Sequence, residues 1–182
     1  MVCNRCILVV KQELEKLKLF PALVTMGEIE LVKPPPATKL VQLEKRLKES
    51  GFELLDNQNQ KQVEKIKNLL IKIVQSGEIE EHFSISAYLS KDLNKEYSSI
   101  SRLFSGVESI SIEQYFILQK IEKVKEWLVY GELNLNEISY RLGYSSGAHL
   151  SAQFKRVTGL TPSHFRKTGN THRYSLDNVH HK

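Results

Sequence analysis

Thiols and cations are the side chains that stand out in this chain. Cys3 and Cys6 form a C-x-x-C pair and are its only cysteines, so they point to a reducing compartment rather than to a disulfide framework. The cations gather late. Between Glu137 and Asp177 there is no acidic residue, while Arg141, Lys155, Arg156, Arg166, Lys167 and Arg173 all lie there. A field of that sign attracts polyanions, nucleic acid above all, although a basic face bathed only by water has the same composition. Patterns for catalysis are missing: the sequence has no phosphate-cradling glycine loop, no H-E-x-x-H and no recognisable Ser/His/Asp array. Most histidines come late, at 149, 164, 172, 180 and 181. His180-His181 reads as incidental or weakly metal-binding, and His164 as lying on a last helix near phosphate or solvent. The chain reads as a binding protein, not an enzyme.

The 182 residues suit one larger domain or two small ones, and 41% hydrophobic with 26% charged residues is ordinary for a globular chain. The net charge of +5 divides into +1 over residues 1–57 and +4 over 58–182. No apolar run is long enough to span a bilayer. The opening MVCNRCILVV lacks a basic leader and a small-residue cleavage site, so it does not read as a signal peptide, and a cytoplasmic location is expected.

The first part alternates element types. Ile7, Val10, Leu14 and Leu17 fall at helical spacing. FPALVTM and GEIELV read as two strands around a turn at Gly27, broken by Pro34-Pro35-Pro36. Leu40, Leu43 and Leu47 mark a second helix, stopped at Ser50-Gly51, and FELL reads as a last strand. The polar run DNQNQKQ at 56–62 reads as a linker. Beyond it everything is helical. Val63, Ile66, Leu70 and Ile73 form one stripe. ISAYLSKDL and YSSISRLF are short helices. Ser111 with Gln114 opens a long helix bearing Ile117, Ile121, Val124 and Leu128 and ended by Gly131. NLNEISYRL and GAHLSAQFKRV follow, Thr161-Pro162 starts a final helix, and the tail from Thr168 has little periodicity.

That helical part repeats itself. Leu89, Leu93, Asn94, Ile100, Phe104, Val107, Ile110 and Tyr115 correspond to Ile138, Leu142, Gly143, Leu150, Phe154, Val157, Leu160 and Phe165. The offset is fifty from Ile100 onward and one less before it. Each copy has the pattern of a helix-turn-helix. Gly143 supplies a turn with positive φ at no steric cost, and Asn94 is the next best residue for it. Ser145 or Ser146 can cap the second helix. A plain α-hairpin repeat would share the apolar pattern, but not the acid-free second copy.

The second copy reads G-Y-S-S-x-x-x-L-x-x-x-F-K-R-x-x-G-L-T-P-x-x-F-R, and with the first copy and the long helix it resembles the DNA-binding domain of AraC/XylS-family transcription regulators. The resemblance covers about 61–167. It implies double-stranded DNA as partner, with helices at about 97–105 and 146–157 entering successive major grooves. Carried over, base contacts fall to Ser98, Ser101 and Arg102 in the first copy and to Gly147, Ala148, His149 and Ala152 in the second. Phosphate contacts fall to Lys155, Arg156, Arg166 and Lys167. Arg102 is the strongest reader, since a guanidinium can meet guanine bidentately. Gly147, Ala148 and Ala152 have no donor groups, which suggests a division: Arg102 for sequence, the basic second copy for affinity. The resemblance also brings RNA polymerase and a second copy of the chain into view as partners.

The first part resembles the heavy-metal-associated domain of copper chaperones and transport ATPases. Its M-x-C-x-x-C at Met1, Cys3 and Cys6 and its helix, strand, strand, helix, strand order carry that resemblance. It implies a ferredoxin-like βαββαβ fold with the first strand missing, and Cu(I) or another soft metal ion held by Cys3 and Cys6. Redox sensing and a structural or dimerising remnant are the competing roles. The expected whole is α+β: a heavy-metal-associated-like domain over 1–57, a double helix-turn-helix domain over 58–167 and a flexible tail over 168–182. The alternative function is a metallochaperone-like module with a helical protein-binding part.

Overall fold

The computed structural model describes residues 4–55 and 57–168. The chain divides into two compact units between Asn68 and Leu69.

In the first unit, helix α1 spans Asn4–Lys16 and helix α2 spans Ala37–Glu49, with strands β1, Pro21–Thr25, and β2, Glu28–Leu31, between them. The strands pair antiparallel, Val24 opposite Ile29 and Thr25 opposite Glu28, around the turn at Gly27. Val10, Leu14, Leu19, Leu43 and Leu47 form the core, and Val24, Ile29 and Leu31 pack on it from the hairpin. Two polar contacts tie α2 to the first helix and its end: Arg46 pairs with Glu13 at 3.3 Å, and Lys39 donates to the Leu17 carbonyl at 2.8 Å; within α1, Glu13 also pairs with Lys16. The two nearby cations, Lys16 first, hold the Glu13 carboxyl below its ordinary value.

The ferredoxin-like expectation is corrected here. Among the described residues the sheet has two strands, and residues 52–55 form none. The Phe52 amide donates to the Leu47 carbonyl at 2.8 Å and the Gly51 amide to Lys48 at 3.0 Å, which closes α2 in a Schellman turn. Phe52 and Leu54 then lie against the core instead of entering a ladder. Cys3 lies outside the described residues. Cys6 is on the first turn of α1, half-buried, not in a loop ahead of a helix.

The expected linker is also corrected. Helix α3 runs Gln58–Ser76 and takes in most of the polar run. Gln and Lys are good helix formers, and the Asn57 side chain accepts the Asn59 amide at 2.9 Å to start the first turn.

The second unit is helical: α4 Ile85–Leu93, α5 Tyr97–Glu108, α6 Ile112–Tyr130, α7 Leu135–Arg141, α8 Gly147–Thr158 and α9 Pro162–Thr168. Its core collects Leu89, Ile100, Phe104, Tyr115, Ile138, Leu142, Leu150, Phe154 and Phe165, all nearly or wholly buried. Each such side chain contributes roughly 1.5–3 kcal/mol of burial. Eight of these nine correspond to one another across the repeat, and the ninth, Leu142, corresponds to half-buried Leu93. Helix α6 is buried on most of its circumference, with Gln119, Lys120, Glu122, Lys123 and Lys125 inside along with its apolar residues. Residues 169–182, the expected flexible tail, lie outside the described residues. Among the described residues no helix is long and apolar enough to cross a membrane.

Candidate nucleic-acid interface

The repeat in the sequence is a repeat in space. In the first hairpin Ser84 caps α4 by accepting the Ala87 amide at 3.2 Å, and α4 ends on Asn94 at φ 50°. Helix α5 ends on Ser109 at φ 59°, and Ser111 caps α6 by accepting the Gln114 amide at 3.1 Å. In the second hairpin Asn134 and Glu137 form a reciprocal capping box on α7, and Gly143 follows at φ 66°. Helix α8 ends on Gly159 at φ 79°, and Thr161 accepts the His164 amide at 3.3 Å to start α9. Helices α5 and α8, and then α6 and α9, begin fifty residues apart.

The two turns differ for a packing reason. The Ile79 amide donates to the Arg141 carbonyl at 2.9 Å, and Ile79 forms a short parallel bridge with Leu142. This strap lies so close that a Cβ at Gly143 would stand 2.5 Å from the Glu80 carbonyl oxygen. Positive φ alone admits asparagine, as at Asn94; positive φ with a backbone strand alongside admits only glycine.

The second helix of each hairpin buries one face and presents the other. On α5, Ile100 and Phe104 are inside while Ser98 and Arg102 are exposed. Ser101 is half-buried, and its carbonyl accepts the Ser105 hydroxyl at 2.8 Å. On α8, Leu150, Gln153 and Phe154 are inside, and Ala148, His149, Ala152, Lys155 and Arg156 form the exposed face. The spacing 149, 152, 156 puts His149, Ala152 and Arg156 along one line of the helix. Gly147 lies against α7: a Cβ there would meet the Asn136 side-chain oxygen at 2.6 Å.

His149 is held from two sides. Its Nδ1 and the Ser145 hydroxyl share a hydrogen bond at 3.1 Å, and its ring meets the Tyr144 ring edge-on at 5.4 Å. Ser146 caps α8 through the His149 amide at 3.1 Å, so the two serines of the motif take separate tasks. Lys155 and Arg156 occupy the last turn of α8, where cations also suit the helix dipole. Arg166 donates to the Leu133 carbonyl at 2.9 Å, which ties α9 to the loop before α7, and Lys167 is exposed beside it. Sequence reasoning missed Tyr144 and Ser145 as the residues that hold His149. A repeat comparison signals Ser145, since the second turn is longer by one residue. Among the described residues no group of three or more His, Cys, Asp or Glu is placed to hold a metal ion.

Comparison with known proteins agrees with this geometry. Residues 89–168 match the family described as a helix-turn-helix domain. The Msm operon regulatory protein of Streptococcus mutans is 30% identical over 79 residues, 43% of this chain and 28% of that one. The uncharacterized HTH-type transcriptional regulator YdiP of Escherichia coli is 34% identical over 79 residues, 43% of this chain and 26% of that one. This chain thus spans about a quarter of the length of these relatives. Among solved structures, the C-terminal domain of AraT, a response regulator from Geobacillus stearothermophilus, shares the fold. It aligns with a TM-score of 0.51 at 24% identity, over 63% of this chain and 88% of that one. These findings support the helix-turn-helix reading of the C-terminal part and give the heavy-metal-associated reading no support. The similarity is to transcription regulators, which are not enzymes.

Proposed function

We propose that the chain is a transcription regulator that binds double-stranded DNA in a sequence-dependent way, with α5 and α8 seated in successive major grooves. The observation that carries this is the pair of like-built hairpins, each burying the same positions and leaving the outer face of its second helix to solvent. Helix α6, with 19 residues, is about 28 Å long, comparable with one turn of DNA. Arg102 reads guanine from α5, flanked by Ser98 and Ser101. His149 is the reader held in place on α8, where Ala148 and Ala152 allow close approach or a thymine-methyl contact. Lys155, Arg156 and Lys167 grip phosphate, with Arg166 contributing whatever its bond to Leu133 leaves over.

The test is selection of duplexes from a random pool, followed by a binding titration over a salt series. The expected result is an enriched motif of two half-sites and an affinity that falls steeply with salt. Recovery of an unenriched pool, or binding indifferent to salt, rules the reading out.

A further inference from the structure

Lys120 lies on α6 with only 9% of its surface exposed, a costly place for an ammonium group. Among the described residues no carboxylate pairs with it. Its Nζ donates instead to the Leu142 carbonyl at 3.3 Å and stands 3.9 Å from the centre of the Tyr144 ring, with the Phe116 ring at 5.4 Å on another side. Leu142 closes α7, and its carbonyl is one of those a helix end leaves without an intrahelical partner. Tyr144 is the residue between that turn and α8, and its ring bears on His149. A methionine or leucine at position 120 would fill the same space without the desolvation cost, but it has no N–H to hold the carbonyl and no charge to set over the face of the ring.

The first hairpin is tied to the same helix by a different bond: the Tyr97 hydroxyl, on the first turn of α5, donates to the Glu113 carboxylate of α6. Glu113 and Lys120 stand two turns apart on one side of α6. The linking helix thus carries one polar tie to the start of α5 and another to the turn that precedes α8.

We infer that Lys120 is a positioning residue: from the linking helix it fixes the turn at Leu142–Tyr144, and through Tyr144 the His149 end of α8. Its consequence for DNA rests on the proposed function; its consequence for the turn does not. Lys120 therefore sets the spacing between the two reading helices without touching nucleic acid.

The test uses the full chain and the variants Lys120→Met, which keeps the stem, and Lys120→Arg, which keeps the cation. Residue-resolved hydrogen exchange is read first. In Lys120→Met the bonded amides of Tyr144, His149 and Leu150 should exchange about ten-fold faster, with those of Ile100 to Arg102 unchanged and Lys120→Arg largely restoring protection. Equal acceleration in both hairpins means simple loss of stability and overturns the inference, as does no change in either. The second arm compares selected duplexes with copies whose half-sites are moved apart by one base pair. The wild type should prefer the selected spacing, Lys120→Met should lose that preference, and the salt slope should stay the same in both. A preference undiminished in Lys120→Met overturns the inference. If the wild type selects no DNA, the regulator reading fails, and the exchange arm alone decides the role of Lys120.

Discussion

The ring of Phe104 meets the ring of Tyr115 edge-on, their centres 5.5 Å apart, and no water reaches either side chain. Fifty residues on, Phe154 meets Phe165 in the same way at the same distance. In both hairpins the second helix is held by an aromatic contact to the helix that follows it. Phe104→Ala and Phe154→Ala should each cost about 3–5 kcal/mol, measured as the shift in a urea unfolding curve. A cost below about 1 kcal/mol at either site would mean that the ring contact does not hold the hairpin.

The left-handed turn positions make a paired prediction of opposite sign. Ser109 carries φ 59° where its counterpart is Gly159, so Ser109→Gly should stabilise by about 0.5–1 kcal/mol. Gly143→Ala should destabilise by about 2 kcal/mol or more, because strain at φ 66° adds to a 2.5 Å approach to the Glu80 carbonyl. Thermal unfolding of the two variants beside the wild type checks both. A Gly143→Ala protein as stable as the parent would disprove the tight strap.

On DNA, readers and grippers should separate. Arg102→Ala should lose about 1–3 kcal/mol on the selected duplex and relax preference at one position. Lys155→Ala and Arg156→Ala should weaken binding to all sequences alike and flatten the salt slope by about 0.9 each. Arg166→Met differs from both, since loss of its bond to Leu133 should lower folding stability by about 1 kcal/mol as well. Titrations at three salt concentrations distinguish these patterns.

Stability should pass through a maximum in mild alkali. Burial lowers the Lys120 ammonium from 10.5 to about 8. Between those values the unfolded chain holds a proton that the folded chain has released, so stability rises with pH, by about 1–3 kcal/mol in all. Attraction to the Tyr144 ring offsets part of that gain. Tyr88, Tyr97 and Tyr144 act oppositely. Burial is the main cause that raises each above 10, with Arg156 working slightly against it at Tyr144. Above pH 10 the unfolded chain therefore gives up its phenol protons first, and stability falls. Urea unfolding from pH 7.5 to 11 should show the rise in the wild type and lose it in Lys120→Met. A wild-type curve flat up to pH 10 would contradict the buried ammonium.

Much of the second unit could be read from the chain alone, because its signals are short-range. A residue that tolerates positive φ, a hydroxyl one residue before a helix and apolar residues at helical spacing each act within about one turn, and all of them occur twice. The exposed face at Arg102 and His149 follows from the same periodicity. The first unit was harder to read. FELL has the composition of a strand, but a strand needs a neighbour to receive its hydrogen bonds, and here its first amide closes α2 instead. The run at 56–62 is polar enough for a linker, yet its glutamines and lysine favour helix, and α3 absorbs them.

Local signals in the chain set the two hairpins, their turns, the cap at Ser111 and the side of α8 that carries the cations. The fold alone sets Gly147 against Asn136, passes Gly143 beneath the strap at Ile79 and buries Lys120 against Tyr144. The reason is physical. Periodicity and local propensity record what a residue does to its own helix, whereas these three roles depend on which distant backbone or ring arrives at that helix, and no neighbour in sequence carries that information.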